Sequence, residues 1–323
     1  MEFFHSVNVN WLGKKWYFLA FSMIFSVAGL ISMGMHWARI GSPVPLGVDF
    51  RGGTQVQVSF AETPDVNRIR QAMAAAGVRD ASIQTIHSVD EPNENDVLIS
   101  LPEQQNENSL DQGRQQIVSA LQSRYQNPFT VRNVQVVGPT VGHQLERQAG
   151  LATLYSMVGM LVYLWFRFQL IYGVAAVVAC FHDTLITLGA FALTNQEISL
   201  TVIAAILTLV GYSMNDTIVV FDRIRENLRL SRREPLSDLV NRSINQTLSR
   251  TVLTSGLTFL TVLSLYVFGG QVLRGFSFAL VVGILIGTYS SIAVASPMLV
   301  AWQEWRARRE KSTTLPAAKR GRA

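Results

Sequence analysis

Apolar residues in this chain gather into six long runs instead of alternating in the short rhythm of a water-soluble fold. The runs cover Trp16 to Trp37, Leu151 to Phe168, Leu170 to Leu193, Ile198 to Phe221, Thr251 to Phe268 and Phe276 to Trp302. Each approaches the ~20 residues that cross a ~30 Å hydrocarbon core as a helix. Aromatic residues such as Trp16, Tyr17 and Trp37 bracket the first run, where the bilayer meets water. Its apolar stretch is longer than a signal-peptide core and no Ala-x-Ala site follows, so it is expected to remain as an uncleaved anchor. The pattern predicts a polytopic α-helical membrane protein with six transmembrane helices.

About 110 residues between the first two runs follow a different rhythm. The stretch from Val48 to Phe60 ends in Thr-Gln-Val-Gln-Val-Ser-Phe, the period-2 pattern of a half-buried strand. Thr63-Pro64-Asp65 reads as an N-cap with Pro at the first helical position, opening an Ala-rich helix that stops at Gly77. Short strands follow at Ser82 to His87 and Asp96 to Leu101. Ser109-Leu-Asp-Gln112 is a capping box for a helix to Tyr125, and Phe129 to Val137 alternates again. The order β-α-β-β-α-β predicts an α+β ferredoxin-like domain, with both helices on one sheet face. It holds no Cys/His cluster, phosphate-cradling glycine loop or nucleophile elbow, and reads as a docking module. Two glycine-bearing joints bound it: Asp49-Phe-Arg-Gly52-Gly53-Thr54 and Gly138-Pro139-Thr-Val-Gly142. Ordinary turns are the plain reading of either joint alone.

Charge orients this plan. Only 15% of the 323 residues are charged, against 49% hydrophobic. The stretch 222–250 carries seven Arg against four acids, and 303–323 carries seven Lys or Arg against two acids. Lys14 and Lys15 precede the first run. By the positive-inside rule, all three lie in the cytoplasm. The predicted organisation is a cytoplasmic N-terminus over 1–15, a first helix over 16–37 and a periplasmic domain over 38–148. Helices two to six then occupy 149–302 with a basic cytoplasmic loop at 222–250, before a basic cytoplasmic tail at 303–323. The net charge of +5 therefore reports topology and inner-leaflet contacts, and nucleic acid is not an expected partner. The one cysteine, Cys180, lies inside run three and reads as a small core residue.

One residue stands against the apolar pattern. Asp216 lies within run four, where a carboxylate costs about 2.5–3.5 kcal/mol on insertion scales. Entered from outside at Ile198, it is about 27 Å along the helix, in the cytoplasmic half. Arg250 opens run five from the cytoplasmic face and is within plausible reach. Protonation of Asp216 would release such a pair, and Arg would stay charged throughout. Ser213, Asn215, Thr217, Thr251, Thr254 and Ser255 add polar groups near it. A static ion pair fixing two helices is the alternative reading. Asp183, beside His182 in run three, reads either as a second proton-relay member or as a buried hydrogen-bond partner. In run six Ala279, Gly283, Gly287, Ser291 and Ala295 recur every four residues, a small-residue face for close helix packing whose neighbour is left open.

Several of these segments occur together in the SecF family, the smaller membrane subunits of the bacterial SecD–SecF export complex. They are Val48-Asp-Phe-Arg-Gly-Gly-Thr54, Gly138-Pro-Thr-Val-Gly142, His182-Asp183, Gly211-Tyr-Ser-Met-Asn-Asp-Thr-Ile-Val-Val-Phe-Asp-Arg-Ile-Arg-Glu-Asn227 and Thr247-Leu-Ser-Arg-Thr-Val-Leu-Thr-Ser255. The chain resembles that family from about Val48 to Pro297, and Gly-Tyr-Ser-x-Asn-Asp with Asp-Arg-Ile-Arg-Glu-Asn is its specific part. The resemblance places the chain in the resistance-nodulation-division (RND) superfamily. It implies a transport subunit in the bacterial inner membrane, not an enzyme, that promotes late export steps with the proton-motive force. Protons would be the coupling ion, with no cofactor and no metal. It names SecD as the obligatory partner half, with the SecYEG channel, YajC and exported unfolded polypeptides as further partners. An RND-type small-molecule or lipid exporter half and a passive membrane scaffold are the competing functions.

Overall fold

The structure is a computed structural model and describes residues 8–78, 81–86, 95–102, 110–125, 127–168, 170–231 and 234–313. Among these, six helical stretches are long and apolar enough to cross a membrane. They are α1 (Lys15–Ile40), α5 (Pro139–Arg167), α6 (Leu170–Thr194), α7 (Leu200–Leu230), α8 (Leu236–Phe268), and a sixth stretch built from α9 (Gly270–Ser290) and α10 (Ser296–Thr313). Between α1 and α5 come α2 (Val48–Arg51), β1 (Gly53–Phe60), α3 (Val66–Ala75), β2 (Ser82–Ile86), β3 (Asn95–Pro102), α4 (Leu110–Arg124) and β4 (Phe129–Val137).

The four strands form one antiparallel sheet in the order β2-β3-β1-β4, the ferredoxin-like arrangement expected from the element order. Alternation along β1 explains its two faces. Val56 and Val58 pair with Ile99 and Val97 and meet Ile69 and Met73 of α3 and Ile117 and Leu121 of α4, all buried. On the other face Gln55 Nε2 donates to Ser100 Oγ and Gln57 Nε2 to Asp96 Oδ2. The cap of α3 is not Thr63 but Asp65. Its extended backbone lets the carboxylate accept from the Asn67 and Arg68 amides, the first free N–H groups of the helix. Gly77, at φ +89°, follows its end. The predicted cap at Ser109 lies outside the described residues.

Two membrane segments depart from the sequence reading. The stretch 222–250 is not a loop: α7 continues to Leu230 and α8 begins at Leu236, so the spans project as a helical hairpin. Its buried face is amphipathic, with Leu239, Val240, Ser243, Ile244 and Thr247 at helical spacing, and Asn227 Nδ2 donates to Ser243 Oγ. The N-terminal segment straps this hairpin, Trp11 donating its amide to Asn241 Oδ1 and its indole N–H to Asn245 Oδ1. Run six is interrupted by a π-helical turn over Ser291–Ala295. That extra residue per turn separates α9 from α10, a local irregularity common at functional sites.

Candidate functional site

The centre of the membrane bundle is polar because α7 turns a narrow stripe inward. Ala205, Leu209, Ser213, Asp216 and Val220 recur every three or four residues and are all buried. This stripe faces α9, where Gly283 and Gly287 leave room for it. A Cβ on Gly283 would stand 2.4 Å from the Leu209 methyls, and one on Gly287 would stand 3.2 Å from Ser213 Cβ. The small-residue face of Gly283, Gly287 and Ser291 therefore packs within this chain, against α7.

Asp216 is 2% exposed. Its Oδ2 accepts from Ser255 Oγ of α8 at 2.6 Å and from Thr288 Oγ1 of α9 at 3.5 Å. The ion pair considered from the sequence is not formed. Arg250 lies close enough for its field to reach the carboxylate, yet makes no bond to it. Helix geometry supplies the reason. Thr251 and Ser255, four apart, form the buried face of α8, whereas Arg250 and Thr254 stand on the exposed side. Thr254 Oγ1 donates to the Arg250 carbonyl of its own helix. Asn215 is exposed one residue before Asp216, and Thr217 Oγ1 bonds back to the Ser213 carbonyl.

A second carboxylate lies beside the first. Asp183 of α6 is 0% exposed and its Oδ2 accepts from Ser213 Oγ at 2.5 Å and from Ser290 Oγ at 2.7 Å. His182 Nδ1 stands 3.0 Å from Oδ1. Ser213 of α7 thus touches Asp183 while Asp216, one turn on, touches α8. Thr288 and Ser290, two apart on α9, serve one carboxylate each. The structure bonds Asp183 to Ser213 and Asp216 to Ser255, as two separate buried sets, and leaves Asn215, Thr254 and Arg250 outside both. Thr288 and Ser290 went unnoticed in the sequence because single hydroxyls inside a small-residue face look like packing. An apolar cavity of about 380 Å³, lined by Trp11, Phe18, Val252, Ile284 and others, backs onto Ser255 and Thr288.

The joints of the sheet domain are built from the predicted residues. Gly52 and Gly53 take φ +74° and +128°, conformations closed to most side chains. Gly138 is the N-cap of α5 and Pro139 its first residue. Gly142 lies inside that helix, not in a turn, and a Cβ there would stand 2.7 Å from the Phe50 carbonyl oxygen. Asp49 Oδ2 accepts the Leu200 amide at the start of α7, and its Oδ1 accepts from Gln135 Nε2 of β4. A carboxylate at a helix N-terminus is held by free N–H groups and the helix dipole.

Residues 117–305 match the model of the SecD/SecF protein export membrane protein C-terminal family, and residues 40–64 match the SecD/SecF GG motif. A protein translocase subunit SecF from Koribacter versatilis is 54% identical over 96% of this chain and 95% of its own length. One from Vibrio alginolyticus is 40% identical over 86% of this chain and 84% of its own. The crystal structure of SecDF from Thermus thermophilus, a translocon-associated membrane protein, superposes with a TM-score of 0.81 at 38% identity. It covers 93% of this chain but only 39% of the SecDF chain, so this chain corresponds to about two fifths of that protein. With its six membrane helices, ferredoxin-like domain and these relatives, the chain belongs to the SecF family of protein translocase subunits.

Proposed function

We propose that this Sec translocase subunit converts proton movement into work on exported polypeptides, with Asp216 as the group that binds and releases the proton. The observation that carries this reading is a buried carboxylate held by hydroxyls from two other helices and bonded to no cation. A carboxylate with only hydroxyl donors gains and loses a proton without first breaking an ion pair. When ionised, Asp216 accepts from Ser255 and Thr288 and so ties α7 to α8 and α9. When protonated, it is neutral, a weaker acceptor and itself a donor, so the tie weakens. Asp183, held by Ser213 one turn from Asp216 on α7, is the second relay member. Arg250, on the exposed side of α8, makes no ion pair that would lock the carboxylate.

Partners and placement follow from the same reading. A SecD half supplies the rest of the membrane unit. The apolar cavity and the outward-facing Val252, Leu253, Leu257 and Leu260 of α8 suit cover by another apolar helix. SecYEG and YajC are the neighbouring translocase components, and unfolded exported chains are the substrate. The basic residues of the hairpin and tail support a reading with both termini in the cytoplasm and the sheet domain in the periplasm of the inner membrane. The deciding experiment measures proton-gradient-dependent release of an exported protein from vesicles carrying normal amounts of complex. Asp216→Asn keeps volume and much hydrogen bonding but cannot ionise, and it should abolish the gradient's effect. Wild-type coupling in that variant would remove Asp216 as the carrier.

A further inference from the structure

Glu197, in the connection between α6 and α7, has no part in the membrane site or in the glycine joints. Its Oε1 accepts from Ser82 Oγ and from Gln84 Nε2, each at 3.0 Å. Both donors belong to β2, the edge strand farthest from the joints: β1 and β4 carry the joints, and β3 lies between β1 and β2. At the usual strand spacing, β2 is about 10 Å from β1. The connection also holds the base of the domain, through Gly47 N–H to the Ile198 carbonyl, Ile198 N–H to the Pro45 carbonyl, and Asp49 at Leu200. Those bonds lie beside the joints and survive a small rotation there. The Glu197 contacts are on the long arm and do not.

We infer that Glu197 is a positioning residue acting as a latch, clamping the outer edge of the sheet domain to the α6–α7 connection until α7 shifts. This rests on the reading that protonation of Asp216 moves α7. The chemistry makes the latch responsive to external pH as well. Burial raises the Glu197 carboxyl above the ordinary carboxylate range, more than its bond from Ser82 and the charge of Arg51 lower it. Among the described residues, Arg51 of α2 is the charged group facing it. β2 presents a hydroxyl and an amide, and backbone of Gly47 lies near Oε2. A carboxyl with a higher pKa docked than released binds its proton more tightly when docked. Low external pH therefore holds the latch shut, and pH rising through the raised value favours release.

The test uses the full chain assembled with its SecD half in lipid nanodiscs, with Cys180→Ala and spin labels at Thr85→Cys and Thr194→Cys, two exposed positions flanking the latch. An Asp216→Asn background keeps the membrane carboxylate from titrating. Raising pH from about 4 to about 8, across the ordinary carboxylate value, should shrink the short-distance population several-fold. Glu197→Gln, which keeps an acceptor oxygen but cannot ionise, should stay docked throughout, and Glu197→Ala should be released throughout. A pH response retained in Glu197→Gln, or full docking in Glu197→Ala, overturns the latch; if the Ala variant does not fold, the Gln variant alone decides. With Asp216 restored, Glu197→Gln should slow gradient-driven export several-fold. Should Asp216→Asn export normally while the distances behave as expected, the proton reading fails and the latch stands.

Discussion

At the scale of single residues, the two buried carboxylates differ in what holds them, and this separates their expected phenotypes. Asp216 has two hydroxyl donors from two different helices, so its ionisation is tied to how those helices meet. Asp183 has two hydroxyls and an imidazole around it. Asp183→Asn should therefore retain part of the gradient-driven export that Asp216→Asn loses outright, measured on equal amounts of assembled complex. Arg250 touches Asp216 only through its field, so Arg250→Lys should keep most coupling while Arg250→Ala loses about tenfold or more. A guanidinium fork bonded to the carboxylate would instead make both changes severe. That Asp216 would need polar partners inside the bundle was legible, because a carboxylate in an apolar run cannot be left unsatisfied. Its partners were less so: Arg250 drew attention by charge, but one residue of helix rotation takes it off the face that Thr251 and Ser255 occupy.

At the scale of elements, caps and close approaches decide which segments tolerate change. Asp65→Ala should cost about 1 kcal/mol of helix stability, raising exchange of the Asn67 and Arg68 amides roughly fivefold. Thr63→Ala should leave them unchanged, and hydrogen exchange on the intact protein reads both. Gly142→Ala forces a Cβ onto the Phe50 carbonyl and should destabilise the joint by about 1–3 kcal/mol, whereas Gly150→Ala meets open space. Faster exchange at Gly52 and Gly53 in the first variant alone would report the difference. The succession of strands and helices in the sheet domain was readable from the sequence because alternation and turn residues are local signals. The helical hairpin at 222–250 was hidden, since its seven arginines dominate the composition while a thin stripe from Leu239 to Thr247 does the packing. The π-turn over Ser291–Ala295 had a local signal that the small-residue pattern of run six masked: Pro297 lacks the N–H that the Ala293 carbonyl would otherwise accept.

At the scale of the whole molecule, the six spans and the basic segments predict both termini on one side of the membrane. A cysteine appended after Ala323 should react with a membrane-impermeant thiol reagent only in inverted vesicles, and one at Thr85 only in right-side-out ones; the reverse pattern would invert the topology. The α7 helix gives the molecule its other large-scale property. Thirty-one residues without a break make it about 46 Å long, longer than the hydrocarbon it crosses. Its first amide, that of Leu200, is held by Asp49; it carries Asp216 midway and is bonded to α8 through Asn227 near its end. A rod gripped at three depths transmits load in both directions. On the proposed proton reading, whatever seizes the hairpin would alter how tightly Asp216 keeps its proton, and the proton would alter that grip by the same free energy. The same would hold for a polypeptide pulling on the sheet domain. A stalled substrate on one side of the membrane would thereby set the proton's readiness to leave, making the subunit draw on the gradient only under load.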